Sequence, residues 1–403
     1  MDNIYLDKYN FNSNEYIANF EKTKNIGFNN IGHTCYMNSF LQILLHIPKF
    51  LPTLKKLYKN KIEKDTIVYN LIKLSEYPRN TESLYKIKQI ISKTYPKYGS
   101  FTQNDTQNFA IDLIDLIISE IKNEISFSSD SSEQKIDNKS ISEENKFLKN
   151  KTFNGFMDSH KKRGESTFIE DLILFVDSKI KYNKNLIDKK KIRYDIQLHI
   201  ELLFPINNIK ENYSLYELLD YKYTNENHIL KKMEKKTKWK YKDMILNIWN
   251  FIYSFFTCKN CSIQNESEED IINNNIPKKN NINNTYENKE ISKIVILPKI
   301  LIISFDRGIE GKDLFSSFVS FDEKIDLKNY VENDLYDINL GTKYTLFAIN
   351  IREGSTKYSG HCYSYVKVEN DWVCFNDNDS KIEQPLYCLN SVVGLYYIKE
   401  NVE

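Results

Sequence analysis

The sequence predicts an α+β fold, a helical amino-terminal lobe followed by a β-rich carboxy-terminal part, and three observations carry that expectation. Between residues 25 and 125, apolar side chains recur at three-to-four spacing. From 293 to 399, short strand-like runs alternate with turn residues. Between a Gly/Asn-rich loop and the first apolar helix stands a single cysteine, Cys35.

The first helix follows that cysteine. Met37, Phe40, Leu41, Leu44 and Leu45 lie at i, i+3, i+4, i+7 and i+8, the stripe of a helix burying one face, and Pro48 marks its stop. Cys35 therefore falls in the first turn, where free backbone N–H groups and the positive end of the helix dipole favour thiolate over thiol, below the usual pKa of roughly 8.5. The same spacing predicts helices over 66–77, 83–95 and 106–125. The polar stretch 126–151, rich in Ser, Lys, Asn and Glu, reads as a disordered insertion. Residues 191–219 hold a strand-like alternation at 196–202 and end in a short helix at 214–219, and the Asn/Lys-rich stretch 262–290 reads as a loop.

Composition excludes several classes. Lys plus Arg numbers 56 against 55 for Asp plus Glu, so the net charge of +1 supplies no field for gathering nucleic acid, and none is expected as a partner. The basic run at 188–193 reads as a solvated loop. The amino terminus lacks a basic region followed by an apolar one, and the most apolar stretch, 294–305, contains Pro298 and Lys299 and is shorter than the ~20 residues of a membrane helix, so no membrane partner is expected. Six cysteines in 403 residues do not form a disulfide framework; a thiol nucleophile suits a reducing compartment, cytoplasm or nucleus.

A lone cysteine is most often a small buried hydrophobe. Here the flanks argue for chemistry: glycines let the backbone approach closely, and Asn30, five residues upstream, offers an amide donor for an oxyanion. A nucleophile also needs a base. Of six histidines, His33 is too close in sequence for easy facing geometry, while His46, His160, His199 and His228 lie in a helix, a polar stretch, a strand pattern and a charged segment. His361 follows Gly360 in a loop between the strand-like runs 344–350 and 362–368, and a third run, 372–375, ends in Asn376-Asp377. Cys, His and an Asn or Asp orienter make the triad of thiol acyl transfer, and either Asn376 or Asp377 could hold the ring.

The segment Gly27-Phe28-Asn29-Asn30-Ile31-Gly32-His33-Thr34-Cys35-Tyr36-Met37-Asn38-Ser39, with Gln42 beyond it, resembles the cysteine box of the ubiquitin-specific proteases, with Phe28 and His33 replacing the family's Leu and Asn. The stretch from Tyr344 through Gly360-His361 to Asn376-Asp377 resembles the family's histidine box, and Val393 to Tyr397 its closing strand. Gln103 to Phe109 resembles the Gln-Gln-Asp box, and Leu297 to Arg307 the Leu-Pro-x-x-Leu strand.

The resemblance implies a papain-like cysteine peptidase with a thumb at about 25–125, fingers within about 160–290 and a palm mainly at 293–400, after an extension at 1–24. It implies Cys35 as nucleophile, His361 as general base and then acid, Asn376 or Asp377 as orienter and Asn30 as oxyanion donor. Asp105 would hold the ubiquitin tail, or else cap a helix, with Gln103 and Tyr363 beside it. The partners implied are ubiquitin and ubiquitinated proteins, cut after the Gly-Gly tail through a thioester. Other readings are a ubiquitin-binding scaffold that has lost turnover and a protease for another ubiquitin-like modifier. The chain departs from the family at Cys362, where tyrosine is usual, and at Asn108, where glutamate is usual. It also carries one Cys-x-x-Cys pair, Cys258 and Cys261, where two would bind zinc, so no zinc or other cofactor is expected.

Overall fold

The computed structural model describes residues 25–57, 65–76, 80–129, 168–173, 175–182, 191–205, 209–223, 289–308, 316–332, 341–356 and 359–400. The chain forms two compact units, one of 1–179, 192–225 and 292–403, the other of 180–191 and 226–291. Every site residue discussed below belongs to the first, except Cys258 and Cys261, which lie outside the described residues, as does 130–151 of the expected insertion.

Helix α1, Cys35–Leu45, departs from its one-sided stripe: all 11 residues are buried. The amide nitrogens of its polar side chains are hydrogen-bonded. Asn38 donates to the carbonyls of Phe28 and Asn29 at 3.3 and 3.2 Å, and Gln42 to that of Ile26 at 2.9 Å. Helix α2, Phe50–Leu57, was not legible in the sequence. Helix α3, Ile67–Leu74, starts at a Thr66 cap, and the Glu120 carboxylate accepts from its Ile67 and Val68 N–H groups at 2.8 and 3.0 Å. Helix α4, Thr81–Thr94, is capped by Asn80. Helix α5, Thr106–Ser129, runs past the boundary at 126 where the disordered insertion was expected to begin, because extending a nucleated helix costs far less than starting one.

Helix α6, Phe168–Ile173, precedes a three-stranded sheet ordered β2 (Lys191–Gln197), β1 (Phe175–Tyr182), β5 (Lys289–Ile296). The loop expected over 262–290 thus gives way to strand at Lys289. The alternating run 196–202 is broken by a bend at Leu198 and His199 before β3, Ile200–Leu203. The short helix extends further than its spacing implied, as α7, Leu215–Tyr223.

The central sheet has eight strands. Its order is β12 (Asp379–Ile382), β11 (Asp371–Asn376), β10 (Ser359–Val368), β9 (Lys343–Thr356), β14 (Val392–Lys399), β6 (Ile300–Asp306), β3, with β8 (Lys324–Asp326) also pairing β9. All its pairs are antiparallel except β3 with β6. One face packs Phe347, Val366, Val373, Phe375 and Tyr396 against α1 to α5; the other packs Leu301, Ile303, Leu346, Ile349 and Tyr397 against α7 and its neighbours. A further three-stranded sheet joins β13 (Cys388–Leu389), β7 (Phe318–Ser320) and β4 (Asn212–Ser214). Among the described residues no helix is long and apolar enough to cross a membrane.

Arg307, just past β6, ties these strands together. Its buried guanidinium donates to the carbonyls of Val392 at 2.6 Å, Ser317 at 2.8 Å and Leu389 at 3.4 Å and lies over Phe204, and burial pulls its pKa down to about 10. Arg307→Ala is expected to cost about 3 kcal/mol or more, at about 1–3 kcal/mol for each buried carbonyl left without a donor. Urea denaturation should show a lower midpoint at unchanged slope.

Candidate active site

The loop before α1 is shaped by one side chain. The Asn30 Oδ1 accepts from the N–H groups of Gly32 and Thr34, both at 3.1 Å, and from the Thr34 hydroxyl at 3.3 Å, while Thr34 Oγ1 accepts from Ile31 N–H at 3.0 Å. This coil delivers Cys35 as the first residue of α1, as its sequence position implied. The turn needs left-handed backbone at Gly32 (φ 106°) and His33 (φ 52°). Histidine and asparagine are among the side chains that adopt this conformation most readily, so the His33 exchange has a backbone explanation. Its ring is exposed.

The second half of the site comes from the sheet. His361 sits near the start of β10 beside a register irregularity with β9, and Asn376 ends β11, so the antiparallel β10–β11 register brings both to one edge. The His361 Nε2 lies 2.6 Å from Asn376 Oδ1. An amide oxygen only accepts, so Nε2 carries the proton and Nδ1 is left to exchange one with a nucleophile. Burial, the largest influence, pulls the imidazole pKa down, but the Asn376 bond, the negative Cys35 sulfur and Asp377 outweigh it and raise the pKa above its ordinary value.

Asp377 does not hold the ring. Its carboxylate accepts from Asn30 Nδ2 at 2.9 Å and Asn38 Nδ2 at 2.8 Å, and its carbonyl accepts from Phe28 N–H at 2.7 Å. Gly27 lies so close to this turn that a Cβ there would collide with the Asp377 and Asn378 backbone. The cysteine loop and the end of β11 are thus one joint. One Asn30 amide hydrogen is committed to Asp377, which leaves the other for an oxyanion.

The Cys35 thiol is held down to about 5. The largest cause is a hydrogen bond from the Cys362 thiol; burial opposes it, and the Gln103 amide, the Cys362 main chain and the His361 charge add to the lowering. Gln103 Nε2 is 3.1 Å from the Cys35 sulfur and 3.7 Å from the Cys362 sulfur. Gln103, expected beside a bound tail, therefore touches the Cys35 sulfur itself. Asp105 caps α5, accepting from Gln107 and Asn108 N–H groups at 3.0 and 2.9 Å, and its other oxygen lies 3.8 Å from the buried Arg352. Tyr363 stacks on His361 at 6.3 Å and donates its hydroxyl to Glu353 at 2.7 Å. Among the described residues no group of three or more His, Cys, Asp or Glu is placed to hold a metal.

The contacts of Gln103, Cys362 and Asn38 were missed from sequence. Strand alternation held a signal for Cys362: if His361 faces the cleft rim, its neighbour faces the helix side, where Cys35 is. A sulfur held at a pKa of about 5, beside an imidazole whose pKa is raised and with the Gln103 amide at 3.1 Å, is equipped to attack a carbonyl carbon and stabilise the oxyanion that forms. Because the thiolate is the reactive form, Cys35 alkylation by iodoacetamide should fall as pH drops through about 5. A midpoint near the ordinary value of roughly 8.5 would contradict this geometry.

The family model described as "Ubiquitin carboxyl-terminal hydrolase" matches residues 26–391. Similar curated proteins include ubiquitin carboxyl-terminal hydrolase 37 of Sus scrofa, 32% identical over 98 residues that make up 22% of this chain and 10% of that protein. Ubiquitin carboxyl-terminal hydrolase 48 of Rattus norvegicus is 35% identical over 77 residues, 19% of this chain and 7% of that protein. The matched stretch is thus about a tenth or less of either relative's length. Among solved structures, the SAGA Ubp8/Sgf11/Sus1/Sgf73 DUB module bound to ubiquitin aldehyde aligns at TM-score 0.59 and 18% identity over 100% of this chain and 77% of that one. A second structure of the SAGA Ubp8/Sgf11/Sus1/Sgf73 DUB module aligns at TM-score 0.58 and 16% identity over 94% of this chain and 69% of that one. The papain-like architecture is therefore shared with these deubiquitinase modules, and the match over 26–391 makes this chain a member of the ubiquitin carboxyl-terminal hydrolase family.

Proposed function

We propose that the chain is a thiol-dependent deubiquitinase that hydrolyses the (iso)peptide bond after the Gly-Gly tail of ubiquitin. The observation that carries this reading is the His361 imidazole, held by Asn376 at 2.6 Å and raised in pKa by the Asn376 bond and the Cys35 sulfur, although Cys35 and His361 are far apart in sequence. Family membership and the ubiquitin aldehyde bound to a structural neighbour support the substrate.

In this mechanism the Cys35 thiolate attacks the scissile carbonyl. The oxyanion develops towards the spare Asn30 amide hydrogen and the Gln103 amide, donors of a kind typically worth about 2.7–4 kcal/mol each. His361 protonates the departing amine, and a thioester remains. The imidazole then takes a proton from water, which hydrolyses the thioester and restores the thiolate. Asn376 is a positioning residue that fixes the ring. Asp105, Gln103 and Tyr363 form the rim along which the tail would lie, with the Asp105 carboxylate steadied by Arg352. The reaction calls for no zinc, and the thiolate suits a reducing compartment, cytoplasm or nucleus.

Ubiquitin bearing a carboxy-terminal electrophile should form a covalent adduct with the purified protein and none with Cys35→Ala. No adduct, or one that survives the substitution, would favour the binding scaffold; a faster adduct with another ubiquitin-like modifier would reassign the substrate. His361→Ala should lower turnover by about 10²–10⁴-fold, the usual worth of a general acid–base, and Asn376→Ala by less, because the ring remains. Asp377→Ala should cost about 10²-fold by releasing both asparagines of the cysteine loop, although it touches neither sulfur nor imidazole. Incubation with a metal chelator should leave turnover unchanged; a large loss would show that Cys258 and Cys261 hold a required metal.

A further inference from the structure

Cys362 is placed where nothing in acyl transfer requires a second thiol. It alternates with His361 on β10, so it faces the helix side of the sheet and joins the same core as Cys35, and both residues are almost fully buried, at 1% and 3% exposure. Their sulfurs share the Gln103 amide nitrogen, Cys362 at 3.7 Å and Cys35 at 3.1 Å, so one amide group bridges the two thiols. Both thiols are free. Each is carried by rigid secondary structure, the first turn of α1 and the interior of β10, two elements that pack on each other. The other described cysteines lie elsewhere: Cys374 opposes Tyr365 on β11, and Cys388 belongs to the separate three-stranded sheet.

We propose that Cys35 and Cys362 form a reversible disulfide, with Cys362 acting as the resolving thiol for a Cys35 oxidised by a hydroperoxide. The Cys35 thiolate attacks one peroxide oxygen. The O–O bond breaks, the sulfur is oxidised by two electrons to a sulfenic acid, and the peroxide is reduced to an alkoxide or hydroxide that takes up a proton. Cys362 then loses its proton and attacks the Cys35 sulfur; the S–S bond forms, the S–O bond breaks, and the departing hydroxide leaves as water with that proton. Two molecules of a small thiol reduce the bridge and become its disulfide. Sulfurs that already share one amide donor need only close to the bond length of about 2.05 Å. The bridge occupies the nucleophile while sparing it the irreversible sulfinic and sulfonic states. Its effect on turnover rests on the reading of Cys35 as the nucleophile; the bridge itself does not.

The test is non-reducing peptide mapping by mass spectrometry of the full chain, treated with hydrogen peroxide and quenched with an alkylating agent. A linked pair of peptides containing Cys35 and Cys362 is expected, together with loss of the ubiquitin-electrophile adduct and its recovery on reduction with dithiothreitol. Cys362→Ala and the smaller change Cys362→Ser should give no linked pair. In both, Cys35 should proceed to sulfinic and sulfonic acid, and dithiothreitol should fail to recover the adduct. The inference is overturned if wild-type Cys35 persists as sulfenic acid or reaches sulfinic acid with no linked peptide, a result read without any variant. It stands if the bridge forms in a protein that never reacts with ubiquitin, which would instead sink the hydrolase reading.

Discussion

The site depends on the joint made by Asp377. One residue at the end of β11 accepts from Phe28, Asn30 and Asn38, so the loop that launches α1 and the strand that carries Asn376 cannot move apart without breaking three hydrogen bonds. Two of these end on a carboxylate, and bonds to a charged group contribute about 1.5–3 kcal/mol each. The joint also explains why two adjacent polar residues divide the work. Asn376 still belongs to the strand and lies against the imidazole, whereas Asp377 turns into left-handed backbone at φ 51° and faces the cysteine loop. The spacing of Cys35 and His361 is therefore set by a connection that bonds to neither of them.

The electrostatics follow from that spacing. Burial alone would push a thiol up and an imidazole down, disfavouring the ion pair on both sides. Each group instead moves the other way, because each has a specific partner: Cys362 and Gln103 for the sulfur, Asn376 and the sulfur for the ring. A helix buried on every side makes those partners reliable, since α1 has no solvent face towards which it could relax.

The sequence made the chemistry more legible than the architecture. Cys35 and His361 stood out because their flanks are unusual: a loop needing left-handed backbone before one, a glycine before the other. The choice between Asn376 and Asp377 did not, since it turns on where a strand stops and a single residue's φ changes sign. Asp105 was left as tail ligand or helix cap; the structure shows the cap, which occupies one oxygen and leaves the other towards Arg352. The helical spacings at 66–77, 83–95 and 106–125 located α3, α4 and α5, because periodicity is local. Helix α2 is short, with Pro52 in its first turn, and the order of the eight-stranded sheet depends on pairings between distant segments that no local pattern encodes.

The complete wrapping of α1 bears on the birth of the protein. Phe40 near its middle meets Tyr396 on β14, Asn38 waits for Asp377, and the sulfur waits for β10, all supplied by segments far downstream of α1. While the chain is still emerging from a ribosome, α1 can pack against the helices that follow it, but the sheet face that completes its burial is missing. Until β10 and β11 have been made, the Cys35 loop therefore lacks Asp377 and the Cys35 sulfur lacks its neighbour Cys362.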